Sequence, residues 1–186
     1  FPQDGANYDT LLRNADAAMY RAKESGRNTF CFYTADLNTQ ALQRLELEAR
    51  LRRALERGEL RLHYQPLMHL TTEAVNDVEA LVRWQTQEGT LVSPADFIPL
   101  AEETGLIVPI GQWVLETACQ QVRQWQAQGL EVRVAVNLSA RQFEQASLVN
   151  DVVAALNESG LQPGRLCLEL TESALVPDID IAAQTL

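Results

Sequence analysis

Three short segments of the chain alternate between apolar and polar positions, as the two faces of a β-strand do. They are residues 78–84, 132–138 and 166–172. Because successive strand side chains point to opposite faces of a sheet, each segment has one apolar face that can lie under helices. The opposite face carries Glu79, Asn137 and Glu169. The pattern therefore predicts a sheet with one buried face and a second face that presents oxygen-bearing side chains near the strand ends.

The N-terminal part of the chain shows helical spacing instead. Apolar residues recur every three or four positions over residues 9–24, which predicts a helix. Residues 29–33 form a short β-prone segment, and the polar stretch Asp36–Gln40 predicts a connector. We expect the domain boundary between Thr34 and Leu42. A second helix follows, with Leu42 among its first apolar positions and Gly58 at its end.

Beyond the second helix the pattern predicts the order strand, strand, helix, helix, strand, helix, strand. The first of these strands, residues 60–65, lies close enough in sequence to the Glu79 strand to pair with it as an antiparallel hairpin. Ser93 and Pro94 mark the start of one helix, and Ser139 begins a capping-box sequence at another. Helices that alternate with short strands predict an α/β fold with a parallel sheet and right-handed crossovers.

Composition narrows the range of partners. Of the 186 residues, 46% are hydrophobic and 22% are charged, which is typical of a globular protein. The formal net charge of −10 argues against a nucleic-acid duplex as partner, because a duplex is bound by a basic surface. An anionic small ligand would need a metal ion or local arginines. The three cysteines are far apart and form no CxxC pair, which favours buried thiols in a reducing compartment.

The oxygen-bearing side chains suggest a chemistry. Two carboxylates and an amide oxygen are hard ligands that suit Mg²⁺ or Mn²⁺, and catalytic groups collect at the strand ends of parallel α/β barrels. Each residue also has a structural alternative: Glu79 as a solvent-facing acid, Asn137 as a turn residue, and Glu169 as the partner of an arginine. For His63 and His69 we favour structural roles, because neither fits the metal constellation.

Five blocks of sequence follow one another over residues 41–186. They are Tyr64-Gln65-Pro66, Glu79-Ala80-Leu81-Val82-Arg83-Trp84, Phe97-Ile98-Pro99-Leu100-Ala101-Glu102, Asn137-Leu138-Ser139-Ala140-Arg141-Gln142-Phe143 and Glu169-Leu170-Thr171-Glu172-Ser173. Their order and spacing resemble the EAL family of cyclic-di-GMP phosphodiesterases. Because that family is similar to a TIM barrel with one reversed strand, the resemblance implies a partial (β/α) barrel, truncated about halfway, with an antiparallel first strand.

The resemblance also implies an activity. Glu79, Asn137 and Glu169 match the family's metal-ligand positions and would form the catalytic centre with two Mg²⁺ or Mn²⁺ ions. The implied reaction is hydrolysis of one phosphodiester of cyclic-di-GMP to linear pGpG, in which the metal ions generate hydroxide and neutralise phosphoryl charge.

Further positions carry over from the same family. Gln65, Leu81 and Arg83 match substrate-binding residues, and Arg83 would contact a substrate phosphate. Glu172 matches a glutamate that steadies a neighbouring active-site loop. The paired aspartates and the lysine that complete the family's site would come after Leu186 in the sequence.

The N-terminal residues resemble a different family. The matching stretches are Asp4-Gly5, Ala15-Asp16-Ala17-Ala18-Met19-Tyr20, Ala22-Lys23 and Gly26-Arg27-Asn28, which are similar to the tail of a GGDEF diguanylate cyclase domain. We therefore expect residues 1–36 to be the C-terminal tail of an α/β cyclase-like domain. Residues 37–58 would be a connecting helix, and residues 59–186 the N-terminal portion of an EAL phosphodiesterase domain.

These resemblances predict a fragment of a bifunctional-type GGDEF-EAL signalling protein. We expect the complete EAL domain to be a homodimer. The chain alone should be inactive because roughly half of the family's ligand set would be missing from it, and a half barrel should also be structurally compromised because it leaves an unpaired strand edge. No stretch is long and apolar enough for a transmembrane helix. The odd number of cysteines fits a reducing compartment, and we expect a cytoplasmic protein. Its parent could be anchored to the inner face of the bacterial membrane through upstream segments only. The alternative is a degenerate EAL module that acts as a cyclic-di-GMP receptor or a protein-interaction domain.

Overall fold

A computed structural model gives the structure of the protein over residues 3–24 and 28–170. The described elements are α1 (Tyr8–Glu24), α2 (Ala35–Glu56), β1 (Leu60–Met68), β2 (Val75–Gln85), β3 (Leu91–Val92), α3 (Pro94–Thr104), α4 (Ile107–Ala127), β4 (Arg133–Leu138), α5 (Ala140–Phe143), α6 (Leu148–Ser159) and β5 (Leu166–Leu170). A short 3₁₀ helix at Pro163–Arg165 leads into β5. None of the helices within these ranges combines the length and apolar character needed to cross a bilayer.

The chain divides into two compact units, Phe1–Arg50 and Leu51–Leu186, and the division lies within α2. Two N-terminal predictions for the first unit are wrong. The predicted connector is helical from Ala35, and the β-prone residues 29–33 form no strand. A strand needs a neighbouring strand to pair its backbone groups, and no described part of the first unit provides one.

The second unit is built on a mixed sheet in the order β1-β2-β4-β5. The short strand β3 pairs antiparallel with the C-terminal end of β2, at Trp84 and Gln85. The hairpin prediction is confirmed, because β1 and β2 pair antiparallel over the whole length of β1. Strands β2, β4 and β5 are mutually parallel, which places their C-terminal ends at the same edge of the sheet. The predicted helices lie between them, but the short strand β3 was not predicted, and the single helix expected after Ser139 is divided into α5 and α6.

Helices cover one face of this sheet and form the core. Val134 and Val136 on β4 are 0% and 1% exposed, and the apolar side of α4 packs against them. Trp84 at the end of β2 is fully buried, packs edge-to-face against Phe97 of α3, and donates from Nε1 to Oε2 of Glu59 at 2.9 Å. Burial of this apolar face supplies the driving force that fixes the sheet beneath its helices.

The helix starts agree with the sequence signals. Helix α3 begins directly after Ser93 with Pro94 in its first turn, and it ends at Gly105, whose φ of 79° is the left-handed conformation that favours glycine. Ser139 forms the predicted capping box with Gln142 at the start of α5. Because α5 follows β4 directly, this cap fixes the backbone immediately after Asn137.

Candidate functional site

The strand pairing brings the three predicted ligand residues onto one face at one edge of the sheet. Asn137 of β4 lies opposite Glu169 of β5 in the parallel register. Glu79 of β2 lies opposite Ala135, two residues before Asn137 on the same face. The three side chains therefore come from three adjacent parallel strands and point away from the helices, as the alternation predicted.

Glu79 and Asn137 are in direct contact. The Asn137 amide nitrogen Nδ2 donates to Oε1 of Glu79 at 2.7 Å. This hydrogen bond uses the amide nitrogen and leaves the carbonyl oxygen of Asn137 available as a ligand. Glu79 is half-buried, whereas Asn137 and Glu169 are exposed. Within residues 3–24 and 28–170 Glu169 forms no ion pair, so the arginine-partner alternative for this residue finds no support there.

The donor set fits a hard divalent cation. It consists of two carboxylates and one amide oxygen, the oxygen ligands that Mg²⁺ and Mn²⁺ prefer. Three such oxygens are fewer than the six that octahedral Mg²⁺ takes. In the described part of the chain, no three His, Cys, Asp or Glu residues cluster closely enough to hold a metal on their own. Asn137 is therefore the residue that joins Glu79 and Glu169 into one set.

The predicted substrate-binding residues lie on the same face, along the β1–β2 hairpin. Gln65 of β1 pairs with Glu79 and thus lies beside the predicted metal-ligand residues. Leu81 pairs with His63, and Arg83 pairs with Arg61. Arg83 is four residues beyond Glu79 on β2, a separation of about 13 Å along a strand. The hairpin therefore extends the site from a carboxylate end to an arginine end. Glu172, the predicted loop-stabilising residue, lies outside the described residues.

A cavity of about 240 Å³ adjoins the site behind the ends of β2 and β4. Arg83, Asn137 and Glu102 line it, together with apolar side chains of α3 and α4. Burial raises the pKa of Glu102, an effect that Arg141 nearby partly offsets. Glu102 belongs to one of the sequence blocks that resemble the family, but the resemblance implied no role for it. Its position on the inner side of α3 depends on packing that the sequence pattern does not show.

A second feature that sequence reasoning missed is the support beneath Asn137. The side chain of Gln142 is 6% exposed and lies directly against the backbone of Gly111 in α4. A Cβ atom at position 111 would come within 1.8 Å of the Gln142 Nε2. Arg141 donates to the carbonyl oxygen of Glu103 at the end of α3. The turn after Asn137 is thus held against both α3 and α4.

Comparison with known proteins places this arrangement in a family. A family model described as the EAL domain matches residues 48–186. MucR of Pseudomonas aeruginosa, a bifunctional diguanylate cyclase/cyclic di-GMP phosphodiesterase, is 48% identical over 181 residues, which are 97% of this chain and 26% of MucR. The cyclic di-GMP phosphodiesterase PdeR of Escherichia coli is 42% identical over 181 residues, 97% of this chain and 27% of PdeR.

Solved structures agree with the sequence comparison. The MucR phosphodiesterase in complex with c-di-GMP matches with a TM-score of 0.71 at 47% identity, over 75% of this chain and 59% of that structure. The EAL domain of Xanthomonas citri FimX in complex with c-di-GMP matches with a TM-score of 0.71 at 26% identity, over 80% and 57%. The partial sheet thus has the fold of the EAL barrel, and the chain spans about a quarter of the length of its curated relatives. The chain belongs to the EAL domain family.

Proposed function

We propose that this chain is the N-terminal part of a metal-dependent phosphodiesterase domain that hydrolyses one phosphodiester of cyclic-di-GMP and releases linear pGpG. The observation that carries the proposal is the contact between Glu79 and Asn137 beside Glu169, at the common edge of three parallel strands. The named activities of MucR and PdeR, and the c-di-GMP bound to the MucR phosphodiesterase, support the same substrate.

Glu79, Asn137 and Glu169 would hold the metal ions. A bound pair of Mg²⁺ or Mn²⁺ ions supplies a nucleophilic hydroxide and neutralises charge on the phosphoryl oxygens. The hydrogen bond from Asn137 to Glu79 restricts the orientation of both side chains and leaves the Asn137 carbonyl oxygen free to accept a ligand. Such a contact reduces the rearrangement needed when a cation binds.

The hairpin residues would bind the nucleotide. Arg83 supplies positive charge for a phosphate at the far end of the site, and Gln65 lies next to Glu79, where it can contact the nucleotide close to the metal ligands. Leu81 lies on β2 between Glu79, which pairs with Gln65, and Arg83, and its side chain offers an apolar contact surface. Glu172 would stabilise a loop beside the site. Together these residues hold an anionic ligand that a chain of net charge −10 would otherwise repel.

The wider protein is part of the same proposal. We expect residues 1–36 to end a GGDEF-like domain, as the match of MucR over almost the whole chain suggests. The complete protein would work in the bacterial cytoplasm, with the EAL domain as a homodimer. Any membrane attachment would come from other segments.

The experiment that tests the activity is chromatographic analysis of cyclic-di-GMP incubated with Mg²⁺ and the full-length protein that contains this chain. The 186-residue chain, tested in parallel, shows whether the described half of the site acts alone. We expect pGpG from the full-length protein, none after treatment with a chelator, and none from the short chain.

Two outcomes would change the conclusion. Intact nucleotide, together with tight binding in the presence of a chelator, would support the alternative of a receptor that binds cyclic-di-GMP without cleaving it. Intact nucleotide without binding, from a protein shown to be folded, would support a protein-interaction module instead.

A further inference from the structure

Two arginines face each other across the β1–β2 hairpin. Arg61 and Arg83 are direct partners in the antiparallel register, so their side chains leave the sheet on the same face. That face is the one that carries Glu79, four residues away along β2. Like charges at directly opposite positions destabilise a strand pair. An anion bound between the two guanidinium groups would therefore stabilise this cross-strand pair.

The described part of the protein does not provide that anion. The Arg61 Nη1 donates to the carbonyl oxygens of Gly58 and Leu60, both at 2.6 Å. The Arg83 Nη1 donates to the carbonyl oxygen of Val82 at 2.8 Å. Neither guanidinium contacts a carboxylate within residues 3–24 and 28–170, although the chain has 25 acidic residues and 15 basic ones.

The backbone contacts also orient both side chains. A guanidinium has five N–H donors, and in each arginine the contacts to carbonyl oxygens use only one nitrogen. The remaining donors of Arg61 and Arg83 are available at one end of the site. Guanidinium donors in this number match the oxygens of a phosphate. Arg61 is exposed and Arg83 is half-buried, so a ligand can reach both.

We propose that Arg61 is a second phosphate-contacting residue, which forms with Arg83 a two-arginine clamp at the end of the site opposite Glu79. The inference rests on the proposed function, because the phosphate would belong to cyclic-di-GMP. A cyclic dinucleotide carries two phosphodiesters. The carboxylate end would hold the one that is cleaved, and the clamp would hold the other.

The test is binding of cyclic-di-GMP to the full-length protein with a chelator present, so that the result does not depend on turnover. Arg61→Gln should weaken binding about tenfold or more, the effect of losing a charge-assisted hydrogen bond. With Mg²⁺ present, KM should rise by a similar factor while kcat changes less than about twofold. Arg61→Lys, which keeps the charge but loses the planar fork, should recover part of the affinity.

A matched control uses Arg123, an exposed arginine on α4 whose side chain lies near Gly160. Arg123→Gln makes the same change in net charge away from the hairpin, and we expect no change in affinity. Thermal unfolding separates binding from a structural role. Without nucleotide, Arg61→Gln should change Tm little, because the relief of like-charge repulsion is offset by the loss of the hydrogen bonds to Gly58 and Leu60, while the rise in Tm caused by nucleotide should shrink.

The outcomes are distinguishable from those of the proposed function. If the wild-type protein binds or cleaves the nucleotide and Arg61→Gln does so equally well, the clamp is wrong and Arg61 is a solvated surface residue. If Arg61→Gln lowers Tm without nucleotide and leaves affinity unchanged, its role is structural. If the wild-type protein neither binds nor cleaves the nucleotide, both proposals fail.

Discussion

The two faces of the sheet in the second unit are made from the same strands but carry opposite kinds of residue. On the helix-covered face, Trp84, Val134 and Val136 are at most 1% exposed. On the other face, Asn137 and Glu169 are open to solvent. Because strand side chains alternate, one short segment can contribute both to the core and to the site. Stability and chemistry should therefore respond to different substitutions on the same strand.

The separation has an exception on each face. Ala135 lies on the site face between the strands that carry Glu79 and Glu169, and it is only 5% exposed. Tyr64 lies on the helix-covered face, where its ring packs edge-to-face against Trp125, and it brings a hydroxyl into the core. These exceptions show that the alternation assigns a face to each residue, while packing decides how much solvent reaches it.

The largest effect should come from the site face. Glu79→Ala in the full-length protein should lower Mg²⁺-dependent turnover by more than about 100-fold, the upper range for losing a group that merely supports a ligand. Thermal unfolding should change little, because Glu79 is not part of the apolar core. The measurement is pGpG formation against Mg²⁺ concentration.

Asp77→Ala is the matched control for that variant. Asp77 lies two residues away on the same face of β2 and forms an ion pair with Arg133, Nε to Oδ1 at 2.5 Å. Losing this ion pair should change the free energy of unfolding little, because Arg133 is exposed and solvent screens such pairs, and turnover should be nearly unchanged. Equal loss of turnover in the two variants would contradict the assignment of Glu79 as a ligand.

The second largest effect should come from the contact between Gln142 and Gly111, which supports the turn after Asn137. Gly111→Ala forces a methyl group into the space of the Gln142 side chain. We expect a loss of about 1–3 kcal/mol in the free energy of unfolding, as for overpacking. The Mg²⁺ concentration for half-maximal activity should also rise, since the displaced turn follows Asn137 directly. Urea unfolding and Mg²⁺ titration measure the two effects.

The contact itself can be tested with a double variant. If the clash with Gln142 is the cause, Gly111→Ala combined with Gln142→Ala should be less destabilised than the sum of the single variants. Gly164→Ala serves as the control, because a Cβ at position 164 would meet no atom within 4 Å. Additive effects in the double variant would show that the Gly111–Gln142 contact does not couple the helix to the turn.

A comparable change on the helix-covered face should affect stability alone. Trp84→Phe removes the indole donor to Glu59, which is 8% exposed. Leaving a buried carboxylate without this donor should cost about 1–3 kcal/mol, while kcat of the full-length protein stays close to the wild-type value. Trp125→Phe is the control, because the indole nitrogen of Trp125 forms no hydrogen bond with any residue that the structure describes. A large fall in kcat for Trp84→Phe would show that the two faces are not independent.

How far the sequence predicts this site depends on the range of the interactions. The period-two alternation is local, and it correctly placed Glu79, Asn137 and Glu169 on one face. The hydrogen bond between Asn137 and Glu79 depends on the register between β2 and β4, which is set by contacts far apart in sequence. The β-prone residues 29–33 form no strand for the same reason. A segment with high β-propensity forms a strand only where a partner strand pairs with it.

The packing of the helices against one another likewise could not be predicted from the pattern of apolar and polar residues. The Ser139–Gln142 capping box could be predicted because its residues lie three positions apart. The position of Gln142 against Gly111 could not, since it depends on how α4 crosses the end of β4. The pairing of Arg61 with Arg83 lies between these cases. It follows from the hairpin once the register is known, and the alternating pattern predicts the hairpin but not its register.

The smallest effect should come from the polar exception on the helix-covered face. The Tyr64 hydroxyl is buried, and within the described residues it has no hydrogen-bond partner. Tyr64→Phe should therefore leave the free energy of unfolding at neutral pH unchanged or raise it by about 1 kcal/mol, because an unsatisfied polar group is removed. Tyr8→Phe, at a position 75% exposed, should have no effect. Urea unfolding at pH 7 measures both variants.

Alkaline pH sharpens this last prediction. Burial, with a smaller contribution from Cys119, raises the pKa of Tyr64 to about 12, whereas an unfolded tyrosine titrates near pH 10. The folded state thus disfavours the phenolate, and wild-type stability should be lost as the pH rises from about 10 towards 12. Burial also raises the pKa of Cys119 to about 11, but that thiol is present in both proteins. Tyr64→Phe should therefore lose less stability than the wild type over this range. Parallel curves would show that the Tyr64 hydroxyl is not shielded from solvent in the folded state, and a less stable variant at pH 7 would show that it has a hydrogen-bond partner in the core.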